Sequence, residues 1–351
     1  MYGSHTGRFR TRRRATGLRT TGTAAAVGAA LLLTACSGGD GGAGDGGEKA
    51  APTVGQRPKA EDPYWVNPEG NAARQVAAYT AEGDDEKAAL IGKIARQPVG
   101  EWVGPHDPKD EVQAVTEAAA AADRDALLVL YNIPHRDCGQ FSKGGAADGD
   151  AYRAWLDSVA RGIGDRRATV ILEPDALLHL VDGCTPEQFH EERYDLLKGA
   201  VQRLKQQPRA TVYLDAGNAG WQSPDALFQP LRRAGVAEAD GFSLNVSNFQ
   251  TTAVSTEFGK KLSQKIGGKP FVIDTSRNGN GPYTGGDPAE SWCNPPGRAL
   301  GEAPTTRTGD DLVDAYLWIK RPGESDGECK GGPKAGDWWP EYALGLARAS
   351  Q

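Results

Sequence analysis

The chain has 351 residues, with 40 basic and 46 acidic side chains. Residues 1–36 hold six arginines and no acid, so without them the balance is 34 basic to 46 acidic, a net −12. A surface that acidic argues against nucleic acid as a partner, because phosphate backbones bind through cationic side chains. It does not identify a substrate.

In chain order, the arginine-rich start is followed by an apolar stretch at 24–33 and then by Leu33-Thr34-Ala35-Cys36-Ser37. This reads as an export signal with a small-residue cleavage site. Its apolar part is too short to span a bilayer as a helix. A cysteine at that point resembles the bacterial lipobox, in which Cys36 becomes lipidated and leads the mature chain; the alternative is a fully secreted protein. Arg12-Arg13-Arg14 is a weak twin-arginine signal. Residues 37–60 are rich in Gly, Ser, Asp and Ala. They bury too little apolar surface to fold and read as a flexible tether. One domain is expected over 61–351, with no internal repeat.

Within it, helices are predicted near 71–81, 84–97, 109–123, 150–163, 186–206, 223–234, 253–267 and 338–349. Strands are predicted near 99–102, 126–132, 168–173, 210–215, 241–246, 270–274 and 313–319. Strand–helix alternation with short connections implies parallel pairing and right-handed crossovers. About seven strands in one domain suggests an α/β barrel, distorted and incompletely closed. Residues 275–312 show no periodicity and several Gly and Pro, as a functional loop would.

The chemistry-bearing pattern is a set of apolar runs that end in acids. Ile171-Leu172-Glu173-Pro174-Asp175 is the clearest; Tyr131-Asn132-Ile133-Pro134-His135-Arg136-Asp137-Cys138, Val212-Tyr213-Leu214-Asp215 and Lys320-Arg321-Pro322-Gly323-Glu324-Ser325-Asp326 repeat it. The carboxyl ends of parallel strands are where ligand sites collect. Acids converging on one rim suggest acid/base work on an uncharged substrate, although an Asp after a strand also serves as a helix cap. Besides Cys36 there are four cysteines, an even number for an exported protein. The pairing taken is Cys138 with Cys184 and Cys293 with Cys329; one member of each pair sits beside a candidate site segment, so each bridge would pin a loop at the rim. No Cys-x-x-Cys and no His pair at ligand spacing supports zinc, so neither metal nor cofactor is expected.

These blocks, with Ala219-Gly220-Trp221, Asn245-Val246-Ser247-Asn248-Phe249, Asp274-Thr275-Ser276-Arg277-Asn278-Gly279 and Ser291-Trp292-Cys293-Asn294, resemble glycoside hydrolase family 6 in one order across 61–351. The resemblance implies a distorted seven-stranded parallel barrel that cleaves β-1,4-glucan with inversion. Motif by motif, Asp175 resembles the general acid and Asp137 the neighbour that raises its pKa and relays a proton. Asp326 resembles the proposed base, and Tyr131 the residue beneath the distorted sugar. Lys320 and Glu324 resemble hydroxyl binders, and Asp215 a partner in the rim network. Trp102, Trp221 and Trp292 are the stacking candidates, with Asn248 and Asn218 as further sugar contacts. Trp155 and Trp318 are expected in the core, and Trp338-Trp339 stays open.

Two positions depart from the pattern. Asn218 stands where the family usually has His, and Lys143 where a small residue is expected. The spacing from Asp175 to Asp326 leaves little room for roofing loops, so an open cleft and internal cleavage by a monomer are expected. The alternatives are a catalytically weak glucan-binding lipoprotein and a solute-binding protein of a sugar importer.

Overall fold

The computed structural model describes residues 63–287 and 290–350. The export signal, Cys36 and the tether expected over 1–60 lie outside the described residues. No helix among them is long and apolar enough to cross a membrane.

Seven parallel strands pair in chain order: β1 (Glu101–Val103), β2 (Ala126–Leu130), β3 (Ala168–Leu172), β4 (Ala210–Asp215), β5 (Gly241–Leu244), β6 (Phe271–Asp274) and β7 (Val313–Leu317). Central strands such as β2 and β3 are continuous apolar runs buried at every position, as expected when both faces of a parallel sheet are covered. Alternate residues sort into two layers. Leu127, Val129, Ile171, Tyr213, Val272, Ala315 and Leu317 fill the inside. Leu128, Leu130, Val170, Leu172, Val212 and Leu214 pack outward against helices.

No ladder joins β7 to β1 among the described residues, so the barrel is open. The edges touch where Gly100 N donates to Trp318 O at 2.8 Å and Arg321 Nε donates to Gly100 O at 2.9 Å. A Cβ at Gly100 would collide with the Ile319 carbonyl, so glycine permits this approach.

The helices are α1 (Asn71–Glu82), α2 (Asp85–Ala95), α3 (Pro108–Ala121), α4 (Gly149–Ile163), α5 (Leu178–Val181), α6 (His190–Leu204), α7 (Pro224–Arg233), α8 (Thr252–Lys265) and α9 (Pro340–Ala349). Local sequence explains most of their starts. Asp84, Asp148, Ser223 and Thr251 each accept an N-terminal N–H of the helix that follows, and Pro108, Pro224 and Pro340 occupy first-turn positions. The helix expected over 186–206 is divided. Pro186 is extended, Glu187–Phe189 forms a 3-10 turn, and α6 begins only at His190. The four-residue α5 is too short to show periodicity, and it was not anticipated. Side chains of α1, α2 and α9 cluster with Trp318 and Leu300 beside β7. Trp318 and Trp155 are core residues, as expected.

Candidate active site

The strands deliver their acids to one end, where a cleft of about 970 Å³ opens. Asp137, Asp175 and Asp326 all line it, with Tyr131, Lys320 and Glu324. The backbone there is unusual: Asp137, Glu173, Asp175 and Ser247 have φ values of 55°, 49°, 66° and 57°. Such left-handed residues away from glycine cost free energy and concentrate at functional sites, where the surroundings hold them in place.

One wall follows β3. Asp175 is half-buried, and among the described residues nothing hydrogen-bonds its carboxyl. Behind it, buried Asp215 accepts from the N–H groups of Asp175 and Gly217 and from Ser243 Oγ, each at 3.0 Å. Burial first, then the charges of Asp215 and Asp137, push the Asp175 carboxyl well above the ordinary 3.8. Burial also raises Asp215, but its three donors favour its ionised form. The pair therefore keeps its charge on Asp215 and its proton on Asp175. Asp215 does not line the cleft. The rim position expected of it is corrected: Asp215 is buried beneath Asp175, whose N–H it accepts, and is no direct contact for a sugar.

Asp137 is raised by burial, although Ser142 N donates to its Oδ2 at 2.6 Å. Glu173, the first acid of the Glu-Pro-Asp run, is fully buried and pushed up to about 7, chiefly by burial. It accepts from Asn132 N and Ile133 N, fastening the turn after β2 to the end of β3.

The other wall follows β7, and its electrostatics are reversed. Burial raises the Asp326 carboxyl, but Arg277 and Lys320 together with hydrogen bonds from Arg277 and Asn294 override it, leaving it below 3.8. Arg277 NH1 lies 2.8 Å from Asp326 Oδ2, which also accepts from Asn294 N at 3.0 Å; Lys320 Nζ is 3.5 Å from Oδ1. Glu324 pairs with Arg321 at 2.9 Å and accepts from Asn71 at 3.0 Å. Beneath this wall, buried Asp274 accepts from Ser247 N, Ser276 N and Lys320 N, tying the ends of β5, β6 and β7 together.

Aromatic rings line the space between. Trp102 meets Tyr131 edge-on at 5.6 Å, and Arg136 lies over the Tyr131 ring. Trp221 is 41% exposed, which leaves a face free, and Trp292 lies beside Phe141. All three tryptophans line the cleft, as do Asn218, Asn248 and Lys143. Asn218 Oδ1 is engaged by Gly220 N at 2.9 Å, so its amide nitrogen is the group left to meet a ligand. The two disulfides are Cys138–Cys184 and Cys293–Cys329, the expected pairing, and each fastens a loop of one wall.

Several residues that build the site carry little local mark of it in the sequence. Arg277 stood in a quoted block without a role, and it proves to be fully buried against Asp326. Arg193 of α6 is buried and donates to Pro134 O, Ala176 O and Thr185 Oγ1, holding the loops after β2 and β3 together. Its only signal was an arginine on the apolar face of a helix. His179 lies buried beside Asp182 and Trp221. It also falls within metal-ligand reach of Cys138 and Cys184, whose sulfurs are already joined to each other.

Fold and site together define an open α/β barrel that can present a proton on one side of a bound molecule and a fixed negative charge on the other. The profile described as Glycosyl hydrolases family 6 matches residues 59–350, and the chain belongs to that family. Endoglucanase A from Cellulomonas fimi is 46% identical over 83% of this chain, and Endoglucanase 1 from Streptomyces halstedii is 43% identical over 80%. The match spans 62% of the Cellulomonas protein's length and 87% of the Streptomyces protein's. Among solved structures, endoglucanase Cel6 from Mycobacterium tuberculosis in complex with a methyl-cellobiosyl-thio-cellobioside has a TM-score of 0.77 at 45% identity. That similarity covers 83% of this chain and 98% of the Mycobacterium chain.

Proposed function

We propose that this chain is an endo-acting β-1,4-glucanase that hydrolyses internal glucosidic bonds with inversion in an open cleft. The observation that carries the reading is the opposite surroundings of two carboxyls facing one cleft: carboxyls beside Asp175, and a guanidinium and an ammonium beside Asp326. Asp175 is kept neutral by burial and by its like-charged neighbours, so it can protonate the glycosidic oxygen at a pH where a free aspartate could not. Asp326 is kept ionised by Arg277 and Lys320, so it offers negative charge to the positive charge that develops at the anomeric carbon.

The same two cations make Asp326 a weak base. Its main contribution is therefore electrostatic, with proton removal from water as the lesser part. Once Asp175 has given up its proton, Asp137 stands next to it to return one from solvent. Tyr131 holds the floor at the cleavage point. Trp102, Trp221 and Trp292 offer flat apolar faces to the C–H faces of pyranose rings, and Lys320, Glu324, Asn218 and Asn248 surround them with donors and acceptors.

Inversion is tested by NMR of the first products from a soluble β-glucan. The α-anomer should appear before mutarotation; an initial β-anomer would overturn the mechanism. Release of reducing sugar from carboxymethylcellulose or mixed-linkage β-glucan tests hydrolysis itself, which a mere binding protein lacks. We place the domain outside the cell, tethered through 37–60 to a lipid on Cys36. The variant Cys36→Ala should then leave the membrane fraction with its specific activity intact. Wild-type protein found wholly in the medium, with a different first residue, would contradict the anchor.

A further inference from the structure

A second concavity of about 230 Å³ lies between the first two turns of α9 and residues 296–298. It has room for about one hexose unit. Trp339, Glu341, Tyr342 and Gly345 face Gly297 and Arg298 across it. Trp339 and Tyr342 stack with centroids 5.4 Å apart and planes 18° from parallel, making a rigid aromatic pair. Tyr342 is fixed from behind by a bond from its hydroxyl to Pro295 O at 3.4 Å. Arg298 is fixed by Asn280 O at 3.0 Å and lies over the Tyr283 ring. Among the described residues nothing lies within 4 Å of where a Cβ at Gly345 would sit, so the floor is open there.

The groove shares its walls with the catalytic cleft. Trp339 N donates to Gly323 O at 2.8 Å, on the loop that carries Glu324 and Asp326. Tyr283, beneath Arg298, lines the cleft itself.

We propose that this groove is a second, non-catalytic binding site for an uncharged β-glucan chain. Its chemistry selects such a ligand. The stacked rings present a rigid apolar face that suits a pyranose, and they lose little entropy on binding. Arg298 and Glu341 supply a donor and an acceptor of opposite charge, so their charges cancel and no ionic ligand is favoured. A protein partner would need on the order of 800 Å² of contact per side, far more than this groove offers. Through the walls it shares with the cleft, a polymer held here lies next to the β7 loop that serves the catalytic acids.

This site rests on the glucanase reading for the identity of its ligand, and its test is separate from the test of hydrolysis. The probe is soluble mixed-linkage β-glucan cast into a native gel, with cleavage of cellotetraose measured in parallel. Two variants close the groove differently: Trp339→Ala removes the platform, and Gly345→Leu fills the floor from a position whose Cβ has open space. Each should weaken retardation by the glucan about fivefold, the scale of one lost aromatic anchor, and each should cleave cellotetraose like the wild type. Retardation equal to wild type in both variants would overturn the site, and so would a matching loss of cellotetraose cleavage in both. A wild type retarded by glucan but unable to cleave either substrate would sink the hydrolase reading. In that case the retardation of the two variants still decides the groove.

Discussion

Asp175 and Asp326 stand on opposite walls of one cleft, and their surroundings push their carboxyls in opposite directions. Burial acts on both in the same direction. What differs is company. Asp175 has carboxyls around it and, among the described residues, no donor to its own oxygens, whereas Asp326 has a guanidinium at 2.8 Å, an ammonium at 3.5 Å and a backbone N–H at 3.0 Å. The lesson is that depth alone does not set the charge of a carboxyl; the sign of its nearest neighbours does.

The largest test removes the protonated side. Asp175→Ala should lower turnover of unactivated glucan by about two to four powers of ten, the usual scale for a lost general acid. Substrates with good leaving groups need less protonation and should suffer less. Wild-type turnover of unactivated glucan in this variant would end the assignment.

Removing the cation from the ionised side comes next. Arg277→Leu leaves Asp326 buried with, among the described residues, Lys320 as its remaining ion-pair partner, which should cost about 3–5 kcal/mol at neutral pH. The sign of the pH dependence follows. In the wild type the Asp326 value is depressed, so its contribution is present above the ordinary carboxylate value and lost as pH falls through the depressed one. In the variant burial dominates and raises the value, so stability should improve as pH falls and Asp326 takes up a proton. Denaturant melts near neutral pH and in mild acid check this; a variant equally destabilised at both would contradict it.

The disulfides divide between the same two walls. Cys138–Cys184 closes a loop next to Asp137, and Cys293–Cys329 closes one next to Asn294 and Asp326, with sequence separations of 46 and 36. Replacing either pair by serine should cost about 2–4 kcal/mol. The first replacement should disturb the alkaline limb of the pH–rate profile, and the second the acid limb. Indistinguishable profiles would show that the walls are not tuned independently.

The smallest effect is a shift. Asp137→Asn removes a like charge beside Asp175, so the Asp175 value should fall. The alkaline limb, where the acid loses its proton, should then move to lower pH. A limb that stays in place would remove Asp137 from the protonating arrangement.

The walls also differ in how far the sequence revealed them. Alternation of apolar runs and helical periods was enough for seven parallel strands, because β2 and β3 are unbroken runs and residues such as Asp84, Ser223 and Thr251 mark helix starts. Glu173-Pro174-Asp175 announced an acid at a strand end. Which of the two acids faces the cleft depends on backbone direction, and here Glu173 turned inward to bind the N–H groups of Asn132 and Ile133. Asp215 looked like another rim acid and proved to be the support beneath Asp175. Arg277 was the harder case, because an arginine in a loop after β6 carries no local mark of burial; only the folded loops bring it to Asp326. Short-range pattern thus revealed strands, caps and the acids themselves, while long-range packing decided what each acid does.

Carboxyl-carbon NMR titration of aspartate-labelled protein reads the protonation of these two carboxyls directly. The resonance missing in Asp175→Asn should titrate well above 3.8, and the one missing in Asp326→Asn should titrate below it. Titration in the reverse order, or at a common ordinary value, would contradict the division of labour between the two walls.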